Sequence, residues 1–389
     1  MNTPVSNVPL YVKLAQIIMG LLSFFFILYV GRSVLVPVIF ATIFAILLNP
    51  LVNYLCRKKF NRIIAIIIAL LIAIIFVASL VYFIVSQMAM FSSSMPQLQE
   101  GFKRMGNDVL TWVATTFNIS NEKIGIWVQT MKGGTMNNSG VIIGQTVSGI
   151  SNLFAFIFLL PVYIFMILFY KPLLLEFIAR LFDKQKHHMV AEVLLEAKTL
   201  IQSYLLGLLV ETLIIAVLNS IGLLLLGVQY ALLIGILGAI LNIIPYIGGL
   251  VAITLPVIMT LATQDTSTAI YVIIVYSIIQ FVDNNLIVPR IVASKVRMNA
   301  LVSLIVVLTG GALWGIPGMF LSIPLTAIAK VIFDRVEGLK AFGFLIGDNQ
   351  PEITKVIFNF GRVRLRKTTT TTTTTTSVKT DTKAVSNVP

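Results

Sequence analysis

Cysteine and histidine are almost missing from this chain, and most site chemistry goes with them. The single cysteine, Cys56, excludes an intramolecular disulfide and any multi-cysteine metal site. The two histidines, His187 and His188, are adjacent in a hydrophilic stretch, so zinc and haem lack a ligand set. No metal and no resident cofactor are expected. An intramembrane Ser–His protease needs a histidine at membrane depth, and neither histidine is there. An aspartyl protease needs two aspartates at that depth; Asp283 lies in an apolar run but Asp265 falls in a turn. No G-x-x-x-x-G-K-[ST] phosphate loop occurs, which removes direct ATP coupling within the chain. The sequence points away from an enzyme.

Charge is scarce too. Charged residues make up 11% and hydrophobic ones 58%, with a mean hydropathy of +0.97. A soluble domain carries about 25% charged residues, so water is not the main solvent. The runs 17–30, 63–81, 153–170 and 204–226 hold almost nothing ionisable, and a bilayer span needs roughly 20 such residues. The first run, after Lys13, has no small-residue cleavage site behind it and reads as a retained helix, not a signal peptide. The formal charge of +13 would suit nucleic acid, but the basic residues gather in short loops between apolar runs. That is the positive-inside pattern, so no nucleic-acid partner is expected.

The runs predict an all-α polytopic membrane protein with about six full spans. Spans one (12–31) and two (34–55) are separated by Arg32 and Ser33 and should form a tight hairpin. Arg57, Lys58, Lys59 and Arg62 place the next loop, and with it the N-terminus, in the cytoplasm. Residues 1–85, ending with span three, form the first unit. An extracytoplasmic segment, 86–146, carries Met95, Leu98, Phe102, Met105, Val109 and Trp112 at steps of 3 and 4, an apolar helical stripe. Residues 147–202 hold span four and a short cytoplasmic amphipathic helix marked by Val190, Val193, Leu194, Ala197 and Ile201. Residues 203–345 form the core, and 346–389, with nine threonines at 368–376, a disordered tail.

Within the core, 229–263 and 299–333 are each too long for one crossing and are broken at their centres. The first break reads Asn242-Ile243-Ile244-Pro245-Tyr246-Ile247-Gly248-Gly249 and the second Gly310-Gly311-Ala312-Leu313-Trp314-Gly315-Ile316-Pro317-Gly318. Two single crossings would put the loop of Arg290, Lys295 and Arg297 outside. Two hairpins return it and the basic tail to the cytoplasm. A span plus a hairpin is thus followed by span six plus an oppositely oriented hairpin, an inverted repeat with tips near the midplane. The alternative is a pair of long helices kinked at proline. Inverted repeats of broken helices mark the substrate and ion sites of secondary transporters.

These residues resemble the AI-2E family, the autoinducer-2 exporter-like transporters. The matching pieces are Leu47-Leu48-Asn49-Pro50-Leu51, Asn242 with Ile244-Pro245-Tyr246-Ile247-Gly248, then Gln280, Asp283, Asn285 and Pro289. Gly310-Gly311, Gly315-Ile316-Pro317-Gly318 and Ile323-Pro324-Leu325 complete the order over residues 10–345. The family often has glutamate where this chain has Asp283. The resemblance implies a bacterial inner-membrane permease that exports a small hydrophilic signal molecule, or an antiporter exchanging sodium for protons. It also implies a homo-oligomer, taken here as a pentamer, embedded in membrane lipid.

Ionisable groups within spans are costly and stand as functional candidates. Asp283 and Glu211 are the ion-coupling candidates for Na⁺ or H⁺. Their plainer roles are an interhelical hydrogen bond or, for Asp283, a pair with Arg290. The substrate-path candidates are Asn242, Pro245, Tyr246 and Gly248 at the first tip, and Gln280 and Asn285 beside Asp283. Trp314, Gly315, Pro317 and Gly318 at the second tip complete them. Their plainer role is tight packing. A passive channel or scaffold is the rival class. If the chain is a carrier, spans five and six with both hairpins should move past a frame of spans one to three and the stripe.

Overall fold

A computed structural model describes residues 9–93, 158–293 and 298–348, together with Val296 and scattered positions between 99 and 116. The stripe from Met95 to Trp112, the start of span four, Lys295, Arg297 and the tail from 349 onward lie outside the described residues. The helices are α1 (Leu10–Val30), α2 (Arg32–Arg57), α3 (Arg62–Ser93), α4 (Phe158–Phe169) and α5 (Lys171–Arg180). Then come α6 (His187–Leu225), α7 (Ala231–Asn242), α8 (Ile247–Thr263), α9 (Thr266–Val282), α10 (Ala300–Trp314), α11 (Ile316–Arg335) and α12 (Lys340–Ile346). Six of the described helices are long and apolar enough to cross a bilayer, or seven if α4 and α5, bent by 62°, are one broken span. The chain is an all-α polytopic membrane protein.

Both apolar stretches fold back as hairpins. In the first, α7 and α8 pack against each other, and a Cβ on Gly238 would make ordinary contact, at 3.6 Å, with the Cβ of Ala252. In the second, the chain reverses at Gly315 (φ 66°), a conformation open to glycine. A Cβ on Gly310 would then lie 2.4 Å from the carbonyl oxygen of Gly318. At about 1.5 Å per residue, α7 reaches roughly 18 Å, whereas α11 reaches roughly 30 Å. Both limbs of the first hairpin, of 12 and 17 residues, are thus shorter than the roughly 20 residues of a full span, and the second has one limb as long as a full span.

Hydrogen bonds fix the faces. Arg335, ending α11, donates to Glu192 (2.5 Å) and Glu196 (3.2 Å) near the start of α6. Asn299, before α10, donates from its backbone to Ile346 and from its side chain to Leu345. The two ends of the second hairpin thus share the face occupied by the His187 end of α6. A single crossing from 299 to 333 is incompatible with these contacts.

Among the described residues, three apolar cores hold the helices. One joins Val36 and Ile43 of α2 with Ile201, Tyr204 and Leu205 of α6, Val292 and Val296, and Leu321 and Ala327 of α11. A second joins the other side of α2 (Ala41, Ala45, Val52) to α3 and α4. The third packs the far end of α6 (Leu223) against Ile234 of α7, Met259 and Ala262 of α8, and Val272 and Tyr276 of α9.

The structure corrects four expectations. The short helix at 190–201 is not separate, because 187–206 contains neither glycine nor proline and α6 runs through unbroken for 39 residues. Spans one and two do not form a tightly packed pair, since no residue of α1 is buried. Span two is not confined to a frame, because α2 shares a core with α6 and α11. The second tip does not come to the Asp283 site, as described below.

Candidate functional site

The first hairpin breaks where the sequence demands it. Pro245 cannot donate to the helical ladder, and Tyr246 adopts φ 66°, ψ −41°, a conformation rare for a residue with a Cβ. Gly248 lets α8 restart against α7: a Cβ there would meet the carbonyl oxygen of Leu241 at 2.0 Å. Asn242, last in α7, is thereby aimed at α9. Its Nδ2 donates to Oδ2 of Asp283 at 2.9 Å across 41 residues of sequence.

Asp283 stands where α9 gives way to two widened π-helical turns, Asp283–Ile287 and Pro289–Ala293. Such turns accommodate Pro289, which has no N–H to give, and they recur at functional sites. Asp283 is 1% exposed, and its second oxygen, Oδ1, is buried without a hydrogen-bond partner. Gln280 Nε2 stands 3.5 Å from Oδ2 and 3.5 Å from Asn284 Oδ1. Asn285 turns instead to the carbonyl of Phe281. Glu211, on α6, is 7% exposed, and its Oε2 is likewise buried and without a partner.

Both carboxylates line one cavity of about 1710 Å³. Asn242, Pro245 and Tyr246 of the first tip line it, with Gln280 and Asn285 from α9 and its continuation. Gly248 does not reach the wall; Gly249 does, and a Cβ there would lie 3.0 Å from Gln280 Oε1. Toward the His187 face the cavity continues past Lys330, which bonds Asp334 at 2.6 Å, to Lys340 and Asp348.

Trp314, Gly315, Pro317 and Gly318 lie elsewhere. The Trp314 indole donates to the carbonyl of Leu28 in α1 at 2.9 Å, so the second tip is docked on α1 and is not in the cavity wall. The interhelical role for Asp283 is realised through Asn242. Sequence reasoning passed over Tyr276, which also lines the cavity with a buried hydroxyl that has no partner. Its signal was spacing: Tyr276, Gln280 and Asp283 fall at steps of 4 and 3, one face of α9.

Buried charge must be paired, hydrogen-bonded or neutralised. Carboxylate and amide oxygens are ligands for protons and hard cations. Two buried carboxylates with spare oxygens, next to a broken-helix tip in a cavity of mixed polar and apolar lining between helices, suit a membrane permease.

Among multi-span helical membrane proteins, the chain falls in a transporter class. It belongs to the AI-2E transporter family, whose model matches residues 14–338. It is 33% identical over 129 residues to YrrI of Bacillus subtilis (strain 168), provisionally named a transport protein; the match covers 33% of this chain and 36% of YrrI. It is 32% identical over 127 residues to the AI-2 transport protein TqsA of Escherichia coli (strain K12), covering 33% of this chain and 37% of TqsA. It is 26% identical over 200 residues to PerM of the same strain, provisionally named a permease, covering 51% and 56%. The matched stretches thus span from 36% to 56% of these relatives' lengths.

Proposed function

We propose that the chain is a secondary transporter of the bacterial inner membrane that exports a small hydrophilic solute of the autoinducer-2 kind, coupled to Na⁺ or H⁺. The observation that carries the reading is the pair of buried carboxylates, Asp283 and Glu211, in one cavity with the tip at Asn242 and Tyr246. The name of the relative TqsA supports the solute class. Na⁺/H⁺ exchange is the second reading, favoured by the spare oxygens of both carboxylates. The basic ends of α2 and α11 (Arg57, Lys330, Arg335) favour a cytoplasmic His187 face. The unburied α1 offers a surface for lipid or for further copies in a homo-oligomer such as a pentamer. In proteoliposomes, solute flux should depend on an imposed Na⁺ or pH gradient. Solute-independent counterflow of Na⁺ and H⁺ would select the antiporter, and flux indifferent to both gradients would identify a passive channel.

A further inference from the structure

A second cavity, of about 370 Å³, opens where the Arg57 end of α2 meets α3 and α5. Its polar wall is Asn49, Asn53, Arg62 and Lys171, its apolar wall includes Val52 and Leu175, and no acidic residue among the described residues lines it. Arg62 is braced by a 2.8 Å bond to the carbonyl of Leu168, and Lys171 by a 3.0 Å bond to Oδ1 of Asn49, itself only 5% exposed. Lys198, on α6, adds a third positive charge within electrostatic reach of Lys171. None of the three basic residues is in a salt bridge among the described residues, and the nearby Glu176 is bonded to Arg180 at 2.5 Å. The pocket also receives the N-terminal turn of α5, with Lys171 and Pro172 at its rim, and a helix N-terminus favours negative charge.

Three helices thus bring cations near one another, with no acid salt-bridged to them among the described residues, beside apolar wall and at the end of membrane-spanning segments. Like charges kept near one another repel, so a bound anion is favoured there. Arg and Lys at one pocket suit a phosphate group, and basic pockets between spans take the headgroups of anionic lipids. We infer that the cavity between α2, α3 and α5 is a binding site for the phosphate of an anionic phospholipid, held by Arg62 and Lys171 with Lys198 behind them. The acyl chains then lie against the apolar wall and the exposed Leu173 and Leu174. The site is separate from the Asp283 cavity and does not depend on the transport reading.

The test uses the full chain in detergent, with native mass spectrometry and thermal shift read in parallel. Short-chain phosphatidylglycerol should remain bound and raise the Tm, and phosphatidylcholine should do neither. Lys171→Gln should weaken the phosphatidylglycerol effect about tenfold, given the strength of hydrogen bonds to charged groups. Because Lys171→Gln also loses the Asn49 contact, Lys198→Gln provides a variant with no such contact and should weaken binding too. Lys58→Gln, in the exposed loop, should leave binding unchanged. Glycerol 3-phosphate or inorganic phosphate matching phosphatidylglycerol would overturn the lipid assignment in favour of a soluble anion. Equal response to phosphatidylcholine, or an equal loss in Lys58→Gln, would overturn the site itself.

Discussion

Asp283 and Glu211 were both legible as membrane-depth carboxylates, because any ionisable residue in an apolar run stands out. What the sequence could not show was who meets them. Asn242 is 41 residues from Asp283, and pairing at that distance is a product of the hairpin, not of spacing. Tyr276 escaped notice because a tyrosine in an apolar helix looks like packing until its hydroxyl is found buried. The two carboxylates differ in a testable way. Asp283 has one oxygen bonded by Asn242, whereas no bond from Glu211 is described. Asp283→Asn keeps the shape and removes the charge, so gradient-driven flux in proteoliposomes should fall by roughly tenfold or more, the change that about 1.4 kcal/mol produces. Glu211→Gln should lower flux while shifting its pH dependence. Full gradient dependence in Asp283→Asn, with normal insertion, would remove this residue from the coupling mechanism.

At the scale of elements, proline and paired glycine located both hairpins, since these residues leave few alternatives to a break. The merger of 190–201 into α6 was hidden because an amphipathic stretch followed by an apolar one reads as two helices. One helix, with neither glycine nor proline from 187 to 206 where the two environments meet, serves both. A small polar device starts α9 after the first hairpin. The Thr268 hydroxyl, 2.5 Å from Asp265, holds that exposed carboxyl below the usual carboxylate range. The second tip gave the largest surprise: its glycines make a close reversal, and its tryptophan ties α1 by one hydrogen bond across 286 residues. α1 has no buried residue, so that bond is a principal attachment. Trp314→Phe keeps an aromatic ring, though a smaller one, and deletes the donor, at a cost of about 1 kcal/mol for the hydrogen bond plus the lost packing. Hydrogen exchange should then rise around Leu28 in α1 and stay unchanged in α7 and α8. Unaltered exchange at Leu28 would mean that other contacts hold α1.

For the whole molecule, the division into a frame and a moving unit has to be redrawn, because α2 is packed into the same core as α6 and α11. Close-packed cores switch between discrete arrangements more readily than they deform. The boundary between them is where movement is cheapest. α9 enters the core of the first hairpin through Val272 and Tyr276, and its continuation enters the α2 and α11 core through Val292 and Val296. Between these anchors lie Asp283 and the first π-helical turn, Asp283–Ile287, beside the cavity, while the second turn carries Val292 into the core. The first hairpin should therefore tilt against the α2 and α11 core, with the π-helical turn at Asp283–Ile287 as the flexing segment. The state that is favoured is set by whatever binds the carboxylates. With Cys56 replaced, spin labels at Leu250 on the first hairpin and at Phe342 on α12, both exposed, report this motion. Their distance distribution should show two populations whose ratio changes with Na⁺, pH or solute. Pro289→Ala, which restores a donor and lets the π-helical turns relax, should collapse them toward one and slow flux. One fixed distance under every condition, in protein that still transports, would instead mean a static pore.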